Sequence, residues 1–316
     1  MMNISPNNIV VLMGPTASGK SALSLRVAEK LPAVIINADA MQIYMDLPII
    51  TACPSEVEMA QAPHRLYRLL DGVSHCDVAM WMELAEQAIR EAWADDKLPI
   101  LVGGTGMYIA ALKNGLAHIP DIDAALRASL RAKMQVQGAE AFHAYLHAID
   151  PIMAERLEVG DSQRMLRAAE VVEQTGRSLA EWHKDETISP LPEATFHMHA
   201  VTMPRETLYA RINARYEGMI AQGALREAEC FAARNPPPDA PLCKAIGYPE
   251  LVQFSNGDIT QEDAIASAQQ QSRRYAKRQL TWLRNQFDDL SWHGLDEQSV
   301  DEIVEEIVES IKTSHP

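Results

Sequence analysis

The stretch Ile9-Val10-Val11-Leu12-Met13-Gly14-Pro15-Thr16-Ala17-Ser18-Gly19-Lys20-Ser21 decides the fold of the chain. Its five apolar residues predict a buried parallel strand, and its glycines predict a tight turn into a helix. The pattern G-x-x-x-x-G-K-[ST] is that of a phosphate-binding loop, whose successive N–H groups and helix N-terminus face an anion. Lys20 adds a positive charge, and Ser21 offers a hydroxyl to a bound Mg²⁺. The residues from Gly14 to Ser21 therefore predict a phosphate or diphosphate site, which need not hold a nucleotide.

The composition is that of an ordinary globular protein. A length of 316 residues predicts about two domains, and 47% hydrophobic with 22% charged residues can build a sizeable core. The four cysteines are in no C-x-x-C spacing, so neither a zinc knuckle nor a disulfide framework is indicated. We find no signal peptide pattern and no apolar run of about 18 residues, and we expect a cytoplasmic protein without a membrane span. No apolar stripe is left unexplained, so we expect a monomer.

The net charge of −15 argues at first against a nucleic-acid partner. Residues 288–316, however, contain nine acids and one base, so more than half of the excess negative charge lies in this tail. The charge on a binding face matters more than the total. The acidic composition therefore does not exclude nucleic acid.

A second predicted strand, residues 33–39, ends in the acid Asp39. Ligands of parallel sheets gather at the carboxyl ends of the strands, so we expect Asp39 near the phosphate loop. An aspartate at this position is also explained by a helix N-cap or a turn. Its place at a strand end beside the loop favours a functional role.

A second glycine-rich junction follows a later strand. Residues 98–102 predict a strand that runs into Gly103-Gly104-Thr105-Gly106, with a helix from Met107. Turn chemistry alone explains such a junction, and a substrate contact at Thr105 explains it equally well. Between these strands we predict a weak strand at residues 66–70 and a helix at residues 77–93.

Strand patterns disappear between residues 121 and 184. Helical stretches are predicted near residues 122–137, 139–149, 151–157 and 161–175, before a returning strand at 196–203. We therefore predict an all-helical insertion, residues 119–194, in an α/β core formed by residues 1–118 and 195–316.

A basic helix is predicted towards the end of the core. From residue 264 to residue 287 there are five bases and no acid. At 100° per residue the bases share one arc, opposite an apolar arc that contains Leu280 and Trp282. A solvated face of a packed helix and a contact surface for a polyanion both explain this pattern. The bases are Arg273, Arg274, Lys277, Arg278 and Arg284.

Three functions remain open on these residues alone. A phosphate-loop kinase or NTPase would use ATP on a small molecule, but the strand at residues 98–102 ends in glycines and lacks the usual second metal-binding acid. A transferase with a diphosphate leaving group and an RNA acceptor explains the loop and the basic helix together. A non-catalytic RNA-binding protein leaves the loop and Asp39 unexplained.

The chain resembles the bacterial tRNA dimethylallyltransferases in motifs that occur in the family's order from about residue 9 to residue 285. The motifs are Gly14-Pro15-Thr16-Ala17-Ser18-Gly19-Lys20-Ser21, Asp39-Ala40-Met41-Gln42-Ile43-Tyr44, Ala62-Pro63-His64-Arg65-Leu66, Val102-Gly103-Gly104-Thr105-Gly106-Met107-Tyr108, Gln163-Arg164-Met165-Leu166-Arg167, Gly247-Tyr248 and Tyr275-Ala276-Lys277-Arg278-Gln279-Leu280-Thr281-Trp282.

The resemblance implies a fold and a reaction. The fold is an α/β, P-loop NTPase-like parallel-sheet core with an all-helical insertion domain and a helical C-terminal region. The reaction passes a dimethylallyl group from dimethylallyl diphosphate to N6 of the adenosine just 3′ of the anticodon, in tRNAs that read codons beginning with U. The phosphate loop then holds the diphosphate of an isoprenoid rather than that of ATP, with Mg²⁺ as the cofactor.

The resemblance also implies roles for individual residues. Asp39 is the expected general base, with Thr105 by the reacting centre and Arg215 on the leaving diphosphate. The anticodon stem-loop is expected to contact Asp39, Ala40, Met41, Gln42, Thr105, Arg127, Gln163, Arg164, Met165, Leu166, Arg167, Lys244, Gly247, Tyr248, Arg273, Lys277, Arg278 and Arg284.

Two positions depart from the family pattern. Ala40 stands where the family usually has serine, and Cys53 stands where lysine or arginine is common. The loop around Cys53 therefore lacks the family's usual basic residue, whereas the motifs that carry the core assignment are present.

Overall fold

A computed structural model of the chain describes residues 7–312. The chain divides into two units, one formed by Met1–Lys113 with Pro190–Pro316 and the other by Asn114–Ser189. Within the described range, no helix combines the length and apolarity needed to cross a membrane.

Six parallel strands form the sheet of the first unit, in the order β3-β2-β4-β1-β5-β6. The phosphate loop follows the strand β1, which lies between β4 and β5, so the loop leaves the middle of the sheet. An α/β fold with a parallel sheet is thereby confirmed. The strands are β1 Asn8–Met13, β2 Ala33–Asn37, β3 His64–Arg65, β4 Leu98–Gly103, β5 Thr195–Thr202 and β6 Ser291–Gly294.

Helices connect the strands and make up the second unit. The helices are α1 Lys20–Lys30, α2 Glu56–Met59, α3 Val78–Ala94, α4 Gly106–Asn114, α5 Ala124–Ile149, α6 Pro151–Ala154, α7 Ser162–Thr175, α8 Leu179–Trp182, α9 Arg205–Ala221, α10 Ala224–Ala232, α11 Tyr248–Ser255, α12 Gln261–Gln286 and α13 Val300–Lys312, with a 3₁₀ turn at Pro241–Lys244.

The central strand is buried on both faces, which explains its unbroken apolar run. Ile9, Val11 and Met13 pack into one layer of the core, whereas Val10 and Leu12 pack into the other. Residues of α1 and the apolar stripe of α13 belong to the second layer. The acidic amphipathic helix at the end of the described chain therefore packs on the core through its apolar face.

One strand assignment from the sequence was wrong, and one strand was missed. The extended segment lies at His64–Arg65 rather than at residues 66–70, because Leu66 and Arg68 adopt left-handed backbone angles with φ of 63° and 50°. The sixth strand, β6, was missed because its four residues, Ser-Trp-His-Gly, include no apolar run. In the second unit, the stretches predicted at 122–137 and 139–149 meet at Gly138, where φ of 81° interrupts α5.

A polar network with two buried histidines joins β5, β6 and α13. His199 Nδ1 lies 2.9 Å from His293 Nε2, and the Glu306 carboxylate lies 3.2 Å from His293 Nδ1. Ser310 Oγ lies 3.4 Å from His199 Nε2. Burial, with the neighbouring His293 and His197 rings, lowers the pKa of His199 to about 3. His199 is therefore neutral in the folded protein at every moderately acidic pH.

We expect the stability of the first unit to fall as the pH drops below about 6.5, because the unfolded chain then protonates His199 and the folded chain does not. Between pH 7.5 and 5.5 this one group should lower the free energy of unfolding by about 1.4 kcal/mol. Urea unfolding at both pH values, for the wild type and His199→Gln, measures the contribution.

The His199→Gln variant should lose less stability over this range than the wild type. His75→Gln, at an exposed position of the same unit, is the matched control and should keep the wild-type dependence. An equal loss in the wild type and His199→Gln would contradict the assignment.

Candidate active site

The phosphate loop has the backbone that its sequence predicts. Gly14 has φ of +146°, and a side chain there would place Cβ 2.4 Å from the Val201 carbonyl oxygen. Gly19 has φ of +96° and precedes α1, which begins at Lys20. The Lys20 ammonium donates to the Pro15 carbonyl oxygen at 2.8 Å. The Lys20 side chain thus folds back onto the loop whose phosphate site it is expected to complete.

Two half-buried cations lie beside this loop. Desolvation lowers the pKa of Lys20 to about 8; Asp39 opposes this shift and Arg215 adds to it. Burial likewise lowers the pKa of Arg215, against the attraction of Asp39. The Arg215 guanidinium donates to Thr16 Oγ1. The single neighbouring carboxylate does not restore the usual pKa of either cation, so a bound anion would stabilise both.

Arg211 is a further cation that the sequence analysis missed. It lies one helical turn before Arg215 on α9, lines the same cleft, and reaches the loop at Gly19. The i, i+4 spacing of the two arginines places both on one face of the helix. That spacing was the signal that could have identified Arg211.

Asp39 lies two residues beyond the end of β2 and lines the cleft. The Asn37 side chain fixes this segment: Oδ1 accepts from the Asp39 N–H at 2.8 Å, and Nδ2 donates to the Asp39 carbonyl at 3.0 Å. Asp39 Oδ1 accepts from the Met41 N–H at 2.9 Å. Asp39 therefore forms the side-chain turn that the sequence allowed, and it also lines the cleft, whereas its functional role stays a prediction.

The turn at residues 103–106 packs against this segment. Thr105 Oγ1 accepts from the Ala40 N–H at 3.0 Å, and the Thr105 N–H donates to the Ala38 carbonyl at 3.2 Å. A Cβ at Gly103 would lie 2.0 Å from the Ala38 oxygen. The glycine is therefore required by the close approach of two backbones. The structure brings Thr105 next to the Asp39 segment, and its expected place by the reacting centre stays a prediction.

A cleft of about 680 Å³ joins these parts. Its wall contains the phosphate loop, Lys20 and Ser21, with Arg211 and Arg215, and also the charged side chains Glu58 and Arg68. Its wall also contains the apolar side chains Pro48, Ile49, Ala52 and Met219. This lining suits a ligand that combines a polyanionic group with an apolar group.

Residues 47–53 form part of the apolar wall and are held by Gln42. The Gln42 amide donates to the carbonyl oxygens of Thr51 and Ala52 at 3.0 and 2.9 Å. The Cys53 thiol, at the position where the family commonly has a cation, lies 3.5 Å from the Gln42 carbonyl. Burial raises its pKa to about 11, so Cys53 presents a neutral thiol. Gln42, predicted to contact RNA, uses its amide N–H groups to shape the cleft.

The basic face of α12 is exposed at Arg274, Lys277, Arg278 and Arg284. Arg273 differs, because its guanidinium donates to Asn213 Oδ1 of α9 at 2.7 Å. On the opposite side, Ala276 and Leu283 are buried, as the apolar arc predicts. The helix thus presents four solvent-exposed bases beside a packed apolar face.

In the second unit, Arg127 and Arg167 approach the buried carboxylate of Glu170, each at 3.7 Å. Gln163 and Arg164 are exposed on α7, and Leu166 is half-buried. Met165 is fully buried in the core of this unit.

Three of the residues predicted to contact RNA are placed in the interior, contrary to the sequence analysis. They are Met165, Gly247 and Tyr248. The Tyr248 ring packs edge-on against Phe231, with 5.4 Å between centroids, and a Cβ at Gly247 would lie 2.5 Å from the Tyr216 hydroxyl. Helix packing explains why the family motif Gly247-Tyr248 has these two residues. Lys244, which precedes them, is exposed.

The cleft contains side-chain oxygen atoms that could bind Mg²⁺. Ser21 and Asp39 line the cleft, but nowhere between residues 7 and 312 do three or more His, Cys, Asp or Glu side chains form a metal-binding group. Mg²⁺ keeps several waters and is commonly held by one or two protein oxygens together with substrate phosphates. The donors therefore suit a Mg²⁺ ion that binds together with a diphosphate.

Comparisons with known proteins agree with this geometry. The family model described as IPP transferase matches residues 42–286. The chain is 45% identical over 288 residues to the tRNA dimethylallyltransferase of Nitrobacter hamburgensis, covering 91% of each protein. Its structure resembles the crystal structure of a tRNA isopentenylpyrophosphate transferase from Bacillus halodurans, with a TM-score of 0.70 and 97% of each chain covered. The two sequences are 34% identical. The chain also shares the fold of a eukaryotic dimethylallyltransferase acting on tRNA. The sequence identity to that structure is 24% and the TM-score is 0.82, with 98% of this chain and 80% of that chain covered. The chain belongs to the IPP transferase family.

Proposed function

We propose that this enzyme transfers a dimethylallyl group from dimethylallyl diphosphate to N6 of the adenosine 3′-adjacent to the anticodon, in tRNAs that read codons beginning with U. One observation carries the proposal: a single cleft contains a cation-lined phosphate loop, an apolar wall and the carboxyl group of Asp39. A kinase would need the first of these features but not the apolar wall. Membership of the family supports the same reaction.

The leaving group is diphosphate. Breaking the bond between C1 of the dimethylallyl group and the diphosphate oxygen leaves negative charge on the diphosphate. Loop N–H groups, the partly desolvated Lys20 and Arg215, and the exposed Arg211 stabilise that charge. Mg²⁺, held by Ser21 and the diphosphate, would supply further charge neutralisation. The cations thereby favour the ionised leaving group over the intact ester.

The acceptor is a weak nucleophile, because the N6 lone pair is delocalised into the adenine ring. As the bond from N6 to C1 forms, N6 must release a proton, and we assign the Asp39 carboxylate, which lines the cleft, as its acceptor. Thr105, bonded to the Ala40 N–H, holds the neighbouring turn in place. The adenine must leave its stack to reach the cleft.

The exposed bases of α12 would bind the anticodon stem-loop, together with Lys244 and with Arg127, Gln163, Arg164 and Arg167 of the helical insertion. Phosphate contacts position an RNA, and an unstacked base is recognised by its edges. We therefore assign affinity to the arginines and lysines, and selection of the adenosine to the cleft.

A label-transfer assay separates this reaction from a kinase. Purified protein, Mg²⁺ and unmodified tRNA are given either dimethylallyl diphosphate labelled in the isoprenoid or γ-labelled ATP. We expect the isoprenoid label, and none from ATP, to appear in the tRNA. Transfer from ATP alone would instead support the kinase.

Asp39→Asn should reduce the single-turnover rate of transfer by about 10²-fold or more, because the amide cannot accept the proton from N6. The amide oxygen can still accept the Met41 N–H bond, so the turn should persist. Rapid quench with labelled isoprenoid measures the rate, and filter binding measures tRNA affinity, which should stay within about threefold. A wild-type rate in the variant would remove Asp39 as the base.

Arg278→Ala should weaken tRNA binding and reduce the slope of log K against log salt concentration by about one, because one phosphate contact is lost. The control is Arg226→Ala on α10, where an exposed arginine lies outside the predicted RNA surface. Filter binding over a salt series measures both slopes. If Arg278→Ala and Arg226→Ala have the same slope as the wild type, the basic face of α12 is only a solvated surface.

A further inference from the structure

Gln279 is a buried polar side chain of α12 to which nothing above assigns a role. Only 6% of its surface is exposed. Its Oε1 accepts the Thr16 N–H at 2.9 Å, and its Nε2 donates to the Gly104 carbonyl oxygen at 3.0 Å. Both ends of one amide are therefore bonded to backbone groups of two different loops.

These two loops hold opposite halves of the reaction. Thr16 belongs to the phosphate loop, and its hydroxyl accepts from Arg215. Gly104 belongs to the turn whose next residue, Thr105, accepts from the Ala40 N–H beside Asp39. Gln279 thus links the part of the cleft that binds the leaving group to the part that contains the proposed base.

The glycines of the turn are explained by this contact. A Cβ at Gly104 would lie 2.0 Å from Gln279 Nε2, and a Cβ at Gly106 would lie 1.9 Å from the Trp282 ring on the same helix. Neither glycine has the positive φ that would itself require glycine. Close docking of α12 is therefore the physical reason for both glycines.

We propose that Gln279 is a positioning residue that sets the separation between the phosphate loop and the Asp39–Thr105 segment. The inference rests on the proposed function, since it concerns the distance between C1 of the bound diphosphate ester and the acceptor N6. A displacement of about 1 Å between reacting groups can reduce a rate by about 10²-fold without abolishing binding. Gln279 also lines the cleft, and we assign its effect to these two backbone hydrogen bonds rather than to contact with a reacting atom.

The first test replaces Gln279 with methionine, which is similar in length and lacks both hydrogen bonds. We expect the single-turnover rate of isoprenoid transfer to fall at least tenfold, whereas KM for dimethylallyl diphosphate and for tRNA stays within about threefold. Gln270→Met is the matched control, because Gln270 is exposed on the same helix. Its rate should equal that of the wild type.

The second test removes the same contact from the other side. Gly104→Ala places a Cβ where the Gln279 amide lies and should slow transfer to a similar extent. If both substitutions act through one contact, the double variant should be no slower than the slower single variant. If Gln279→Met does not fold, Gly104→Ala still tests the inference by itself. It must then show slower transfer with unchanged KM.

A wild-type rate in Gln279→Met or in Gly104→Ala would overturn the inference, as would fully multiplicative losses in the double variant. A loss confined to KM would also overturn it, since positioning acts on the bound complex. If the wild-type enzyme transfers no isoprenoid to tRNA, the proposed function fails and the inference fails with it.

Discussion

The close approach of backbones at the carboxyl ends of the parallel strands is the constraint on which the site depends. Gly14 lies against the Val201 carbonyl at the end of β5, and Gly103 lies against Ala38 beyond β2. In each case a single methyl group would collide with a carbonyl oxygen that cannot move without disturbing a strand. The phosphate loop and the Asp39 segment can share one cleft only because these two glycines let the chain segments pass at contact distance.

The electrostatics of the cleft follow from this crowding. Lys20 and Arg215 are desolvated beside one carboxylate, and the pKa of each is lowered. Such an arrangement costs stability in the empty protein and favours a polyanionic ligand. Groups with shifted pKa values cluster at functional sites in other proteins as well. The Trp81 indole, fully buried in the core, donates to the Asn37 carbonyl at 3.0 Å and ties the aspartate segment to α3. Rigid support thus surrounds a site whose own charges are unbalanced.

Local patterns in the sequence predicted the fold class, the phosphate loop and the basic helix, because each is determined by residues close together in the chain. The sequence did not reveal β6, whose pairing with β5 depends on residues far away, or the left-handed angles at Leu66 and Arg68. It named Gln279 within a motif but not its contacts, since an amide in a helix gives no sign of which distant backbone it will meet. Tyr248 shows the opposite error: a motif residue was assigned to RNA contact, but the structure buries it against Phe231. The roles of Asp39, Thr105 and Arg215 stay predictions.

The two edges of the sheet are unusually short. β3 has two residues and β6 has four, whereas the strands between them have five to eight. A long edge strand offers unpaired N–H and C=O groups to which an extended segment of another chain can add. Here each edge provides at most one or two such pairs before the backbone turns away. The sheet that presents the cleft therefore offers little template for intermolecular strand pairing, which protects it against edge-to-edge aggregation.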